Sequence, residues 1–387
     1  MAGGSMRVLF VTSPGLGHLF PTIPLAQAFR AAGHRVRYAT GGLSLAAAEA
    51  GFDVVDVTPG LDYLPVYLPQ EPEADGPGDH PMFAEDPEDA ELATLFARVS
   101  GVMVDGVLAA ARDWPPDLVV APPLQAAGRL VAAASRTSLI EPRLGSYDSG
   151  ARLKSLLRAG MEPHWARCGV TGEPPRTIPL TTLPPSLTDL LPEDRRTPDA
   201  RPLRYVPYNG GAVLPDWLSE PPRLPRIAVT LGTIEAQWGG IAILGPLMEA
   251  ARGFDAEFVV TLGGGDPALL GEVPPNVRLV DWAPLDLLLD TCAAVVHHGG
   301  SGTMLTAAAA GLPQCVIPRG SYQQTGADLL PARGIGIVAD FETLGAAECR
   351  TLLKDAGLRE NARRVQAEML AMPAPAETVG RLVESIG

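Results

Sequence analysis

A repeated order of short apolar runs, glycine turns and helical stretches limits most strongly what this chain can fold into. "RVLFVTS" (Arg7–Ser13) is rich in β-formers and runs into "PGLG". "PTIPLAQAFRAAG" follows with apolar residues at helical spacing and stops at Gly33. "HRVRYAT" then reads as a second strand. Strand, glycine loop, helix, strand is a βαβ unit. Its strands are parallel and covered on both faces, which explains why they read as continuous apolar runs. "DLVVAPP" (Asp117–Pro123) is a further buried strand, with the helical stretch "AAGRLVAAAS" behind it.

The pattern then restarts. "RIAVTLGT" (Arg226–Thr233) repeats the strand-then-loop order, and "AEFVVTLGGG", "VRLVDWAP", "AAVVHHGGSGT" and "LPQCVIP" follow as strands. "RYVPYNGGAVLPDWLSEPPRLPR" separates the halves and has the Pro/Gly content of a linker. The chain has 387 residues, and a domain usually holds about 100–200. The expected organisation is an α/β protein of two domains facing across a cleft, 6–206 and 225–387, joined by 207–224, with the last helix packing back on the first domain. Residues 59–90, crowded with Pro, Asp, Glu and Gly, read as a long surface loop.

Composition excludes several classes. A hydrophobic share of 46% and a charged share of 19% describe a chain with a large core, not a disordered one. A net charge of −14 argues against electrostatic binding of nucleic acid, which needs Lys and Arg to displace counterions. It leaves room for a small anion held by backbone N–H groups at a helix end. Cys168, Cys292, Cys315 and Cys349 form no CxxC pair, so neither a zinc site nor a disulfide framework is indicated, and a cytoplasmic setting is expected. No apolar run is expected to approach the about 20 residues of a membrane span. "MAGGS" before Met6 reads as a cloning remnant, not a signal peptide.

"HHGGSGTMLTAAAAGLP" (His297–Pro313) carries the chemistry. "AAVV" is a strand, "TMLTAAAAG" a helix ending at Gly311, and "HHGGSG" the turn between them. Gly299, Gly300 and Gly302 let backbone approach a ligand closely. Ser301 and Thr303 are expected as hydroxyl donors or N-caps. Free N–H groups and the positive end of the helix dipole point out of such a turn, so a diphosphate is the natural guest, with His298 adding a hydrogen bond. The plain alternative is an ordinary strand-to-helix turn. No GxSxG elbow, P-loop GKS/T or metal-ligand spacing is present.

The stretch "HHGGSGTMLTAAAAGLPQCVIPRGSYQQTGADLL" resembles the C-terminal donor signature of the family 1 GT-B glycosyltransferases, in the bacterial branch that decorates antibiotics and other polyketides with deoxysugars. "VLFVTSPGLGHLFPTIPLAQAFRAAGHRV" resembles the matching N-terminal signature, and "RYVPYNGGAVLPDWL" the joining segment. The resemblance spans both halves in order. It implies the GT-B fold of two Rossmann-like domains, an acceptor on the N-terminal side, a nucleotide sugar on the C-terminal side, and metal-free inversion at the anomeric carbon. It implies that His298 bonds the diphosphate beside a cradle of Gly300, Ser301, Gly302 and Thr303, and that Thr233 touches a phosphate. Val280 and Trp282 match positions around the nucleobase, a core aromatic being the alternative for Trp282. Gln323 matches a contact to the donor sugar, and His297 an orienting role.

His18, at the end of "PGLGH", matches the base that deprotonates the acceptor hydroxyl, a task that suits an imidazole. Two departures stand out. The family's aspartate that orients this histidine falls near Pro122 in "VVAPPL", where no carboxylate stands; Glu141 and Asp148 are weak substitutes, with ordinary loop charge as the alternative. With no acid in place, the acidic limb of activity is expected near that of a free imidazole. Where the family often has Asp-Gln in the sugar pocket, this chain has Tyr322-Gln323. Losing a carboxylate clamp suggests a donor short of hydroxyls, a deoxyhexose, carried as thymidine diphosphate in that branch. Expected partners are the nucleotide sugar and an apolar aglycone, with no cofactor, nucleic acid or membrane; a homodimer stays open. His34, His80 and His164 read as turn, loop and helix residues. A nicotinamide oxidoreductase fits less well, because "GLGHLF" lacks the third glycine of the dinucleotide fingerprint and "VRYATGGL" lacks an acid. A non-catalytic relative stays open through the missing aspartate.

Overall fold

The computed structural model describes residues 4–67, 89–145, 150–197, 199–232, 240–318, 321–340, 342 and 344–386, and of residues 321 and 322 the backbone alone. Most of the acidic loop, with His80, and also Asp148 and Thr233 lie outside the described residues. So does the Tyr322 side chain.

The chain divides into two compact units. One comprises Met1–Leu183, Leu191–Val206 and Met372–Gly387, the other Pro184–Leu190 and Pro207–Ala371. The first holds strands β1 (Arg7–Val11), β2 (Arg35–Thr40), β3 (Asp53–Asp56), β4 (Leu118–Val120), β5 (Ser138–Arg143), β6 (Thr177–Thr181) and β7 (Arg201–Pro202). They form one sheet in the order β3-β2-β1-β4-β5-β6-β7, every pair parallel. Val8 pairs with Val36 on one side and with Leu118 on the other. The second unit holds β8 (Arg226–Thr230), β9 (Glu257–Thr261), β10 (Val277–Val280), β11 (Ala294–His297), β12 (Gln314–Val316) and β13 (Gly336–Val338). Their order is β10-β9-β8-β11-β12-β13, again all parallel. These are two Rossmann-like sheets.

Central strands explain their own sequences. Val8, Leu9, Phe10 and Val11 of β1, and Ile227, Ala228 and Val229 of β8, have no exposed surface. Each of the valine, leucine, isoleucine and phenylalanine side chains among them contributes about 1.5–3 kcal/mol by burial. The C-terminal helix Pro375–Ile386 packs on the helix Ile23–Ala31 of the first unit, and Arg204 N–H donates to Pro373 O at 2.8 Å.

One expectation is corrected. Helix Asp89–Asp113 is long and apolar enough, by length and composition, to cross a membrane. Its apolar residues have another destination: Leu92, Phe96, Val99, Met103, Val104 and Val107 are buried in the core of the first unit. Among the described residues it is the one helix that passes this test.

In each sheet the strand order reverses once, between β1 and β4 in the first and between β8 and β11 in the second. The loops leaving two such neighbours diverge to opposite faces and open a crevice at the carboxyl ends of the strands, where ligands of open α/β sheets bind. The loop after β1 carries His18. The loop after β11 carries His298.

Candidate active site

The second unit builds its loop on a buried histidine. His297 closes β11 with no exposed surface. Gly299 N–H donates to its Nδ1 at 3.1 Å, and its Nε2 lies 2.9 Å from Gln314 Oε1 on the neighbouring β12. An N–H donor at Nδ1 requires that nitrogen to be bare, so the proton sits on Nε2 and donates to Gln314. Burial, then the neighbouring His298, lower its pKa to about 3, against the raising effect of the Gln314 bond. A neutral imidazole thus ties the turn to the sheet, which is the orienting role expected of it.

The His298 ring lies against two glycines. A Cβ on Gly232, in the loop after β8, would come to 2.8 Å from its Cε1, and one on Gly300 to 2.5 Å from its Nε2. Both distances are shorter than real Cβ atoms show, so a side chain at either glycine would push the ring aside. Gly232 has φ +72°, which glycine adopts at no steric cost. Gly299, at φ +91°, faces the Gln323 backbone and side chain, with a Cβ 3.0 Å from Gln323 Cβ.

Helix Ser301–Ala309 starts directly after. Its N-cap is Gly300, with no side-chain cap hydrogen bond. This corrects the N-cap expectation for Ser301 and Thr303: they occupy the first and third helical positions, and both are half-buried. Gly302 lies between them, and its carbonyl accepts from Thr306 Oγ at 2.7 Å. A helix start without a side-chain acceptor keeps its dipole end for an anion. Gln323 is fully buried in the helix Ser321–Arg333. Val280 ends edge strand β10 and is half-buried. Trp282 is 42% exposed, which removes the core-aromatic alternative.

In the first unit, His18 sits in the four-residue helix Leu16–Leu19 after β1. Its ring meets Phe96 edge-on, centroids 5.5 Å apart at 74°, and keeps part of its surface open. Surrounding protein lowers its pKa to about 4 by desolvation. That departs from the expected value of a free imidazole: packing against Phe96 and the loop penalises the charged form, and no described carboxylate offsets it.

Glu141 is not the missing acid. It lies on β5, not in a loop, and is buried. Its oxygens are taken by Arg129 Nη1 at 2.6 Å and Lys154 Nζ at 3.2 Å. His34 is a buried turn residue whose Nδ1 accepts from Met6 N–H at 3.2 Å, and His164 lies on the helix Glu162–Arg167.

Comparison with known proteins identifies the family of the chain. Residues 27–232 match the N-terminal domain, and residues 246–385 the C-terminal domain, of the erythromycin biosynthesis protein CIII-like family. The chain is 40% identical to the elloramycin glycosyltransferase ElmGT of Streptomyces olivaceus, over 99% of this chain and 98% of that one. Its structure is similar to that of the glycosyltransferase SnogD from Streptomyces nogalater, with a TM-score of 0.89 and 55% identity, over 99% and 100% of the two chains. It is also similar to the Streptomyces sp. SF2575 glycosyltransferase SsfS6 complexed with thymidine diphosphate, with a TM-score of 0.78 and 30% identity, over 98% and 99% of the chains. Both family models, the curated relative and the solved structures agree over almost the whole chain, and the chain belongs to the erythromycin biosynthesis protein CIII-like family of GT-B antibiotic deoxysugar glycosyltransferases.

Proposed function

We propose that the protein moves a deoxyhexose from thymidine diphosphate to a hydroxyl of a polyketide-type aglycone, with inversion at the anomeric carbon. The acceptor oxygen forms the new bond to that carbon as the bond to the diphosphate breaks. His18 takes the hydroxyl proton. With its pKa lowered to about 4, its imidazole is neutral and ready to accept at neutral pH. The departing diphosphate gains charge, which the N–H groups from Gly300 to Thr303 and the His298 ring stabilise. Thr233 adds a hydroxyl to a phosphate, Val280 and Trp282 flank the base, and Gln323 meets the sugar. Tyr322, in place of an acid, favours a sugar with fewer hydroxyls.

The observation that carries this reading is the pair of glycines fitted around His298 at the start of an uncapped helix. Thymidine diphosphate bound to SsfS6, and the antibiotic-sugar chemistry in the names of relatives, favour the same nucleotide and acceptor class. The test is single-turnover transfer at saturating donor. His18→Ala is expected to slow the chemical step about 10²–10⁴-fold, with diphosphate affinity unchanged. A variant with near-normal rate toward an alcohol acceptor refutes the role of His18. A thymidine diphosphate glucose donor preferred over its deoxyhexose counterpart refutes the sugar class.

A further inference from the structure

A four-residue helix cannot fix a catalytic ring by itself. Helix Leu16–Leu19 contains Gly17, and isolated helices below about 12–15 residues are marginal in water. Its N-cap is Gly15, which has no side chain to cap with. The position of His18 must therefore come from outside the helix, and no described carboxylate holds its ring.

The geometry points to Ser44 as the residue that positions His18, acting on the backbone of the β1 loop, with Gln125 bracing the same loop from the other side. This rests on the reading of His18 as the base. Ser44 is fully buried in the 3-10 turn Gly42–Ala48 that follows β2. Its hydroxyl lies 2.7 Å from Ser13 O and 3.1 Å from Gly15 O. Gly15 O is the carbonyl that starts the helix: it accepts His18 N–H at 2.9 Å and Leu19 N–H at 3.1 Å. The single Ser44 hydroxyl proton is shared between these two carbonyls, with the shorter contact to Ser13 O, which also accepts Gly15 N–H at 2.8 Å, so Ser44 holds the backbone on which the His18 turn is built. The His18 ring lies over Gly15, where a Cβ would stand at ordinary contact distance, 3.6 Å from its Cδ2, and the His18 N–H bond to Gly15 O is the link through which a shift of Gly15 would carry the histidine.

Gln125 completes the brace from the loop after β4. It is 1% exposed. Its Oε1 accepts Ala127 N–H at 3.1 Å, which directs its amide N–H groups toward Ser13 Oγ at 3.4 Å and Met103 Sδ at 3.2 Å. Met103 and Phe96 lie two turns apart on one buried face of helix Asp89–Asp113, and Phe96 is the residue that meets the His18 ring. Strand β1 lies between β2 and β4 in the sheet, so its loop is held from both neighbours. Both braces are neutral. They fix the histidine without placing a negative charge beside it.

The test compares Ser44→Ala with wild type in single-turnover transfer, alongside thymidine diphosphate titration and carbon-13 NMR of the His18 ring across pH. Displacing a reacting group by about 1 Å costs on the order of 100-fold. Ser44→Ala is expected to lower kcat about 10- to 100-fold, with diphosphate affinity and donor KM unchanged, and to move the acidic limb and the ring titration upward as water reaches the imidazole. Gln125→Leu is expected to shift both in the same direction and by less, because it acts one link further away. A folded Ser44→Ala with wild-type kcat and acidic limb, in an enzyme that His18→Ala inactivates, overturns the proposal. If His18→Ala stays active, the base reading falls and the ring titration decides positioning alone: an unchanged titration in Ser44→Ala overturns it, an upward shift supports it.

Discussion

Gly300→Ala displaces the His298 ring without replacing the histidine, and combining it with His298→Ala separates that displacement from any effect of the methyl on the cradle itself. Gly300 has φ −60° and ψ 133°, a conformation open to any residue, so the substitution does not strain the backbone. The new methyl would stand 2.5 Å from His298 Nε2 and 2.9 Å from Cε1. Favourable contacts begin near about 3.5 Å, so the ring must retreat by about 1 Å. A hydrogen bond to a charged group contributes about 1.5–3 kcal/mol. Losing it raises the Kd for thymidine diphosphate about 10- to 150-fold. The alanine cap costs about 1 kcal/mol of stability at most, which leaves the protein folded. Calorimetric titration of thymidine diphosphate into wild type, Gly300→Ala, His298→Ala and the double variant measures this. With the ring removed, the methyl has nothing to displace, so the double variant should bind as His298→Ala does. Additive losses, or an unchanged Kd in Gly300→Ala, would refute the reasoning.

Three further outcomes follow from the buried charges. With the His18 pKa lowered to about 4, transfer rate should stay level from pH 7.5 down through 6.5 and fall only near pH 4; a limb at 6.5 in the pH–rate profile would contradict the desolvation. His297, with a folded pKa of about 3 against 6.5 unfolded, adds stability that is whole above pH 6.5 and is lost as pH falls toward 3, because the unfolded chain binds the extra proton in that window. The full effect is at most about 5 kcal/mol, and urea unfolding at pH 7.5 and 4.5 should show His297→Asn losing much of the slope. Glu141→Gln should cost about 1.5–3 kcal/mol by weakening its bonds to Arg129 and Lys154, visible as a lower Tm, while kcat holds; a collapse of kcat in a folded variant would reinstate Glu141 as the acid of His18.

How much was legible follows from where side chains find their partners. Strands β1, β8 and β11 announce themselves because they are buried and almost wholly apolar, and β2 does so through its buried Val36, Tyr38 and Ala39. Strand β5, "SLIEPR", hides because its buried Glu141 and Arg143 break the apolar run, and the partners of Glu141 come from helices distant in sequence or off its strand. Helix Asp89–Asp113 is obscured by Gly101 and Gly106. They look like breakers and are packing contacts: a Cβ at Gly101 would stand 2.8 Å from His164 Nε2, and one at Gly106 would strike the Val57 backbone. The same helix matches a membrane span in length and composition alone, and its apolar length is spent on the core of the first unit.

The same distinction separates the two loops that carry His18 and His298. The loop from His297 to Gly302 is legible because its geometry is written in consecutive residues: a strand end, glycines for close approach, and a helix start. His297 and Gly299 even complete their hydrogen bond within three positions. The His18 loop depends on residues that meet only through topology. Ser44 follows β2, Gln125 follows β4 and Phe96 comes from a third segment, yet all three converge on the loop after β1 because the strand order reverses there. A serine in "GGLSLAAA" carries no signal of that convergence. The absent aspartate near Pro122 is therefore an incomplete guide. It removes a charge from the ring's surroundings, while the position of the ring is set through backbone carbonyls that any sequence provides.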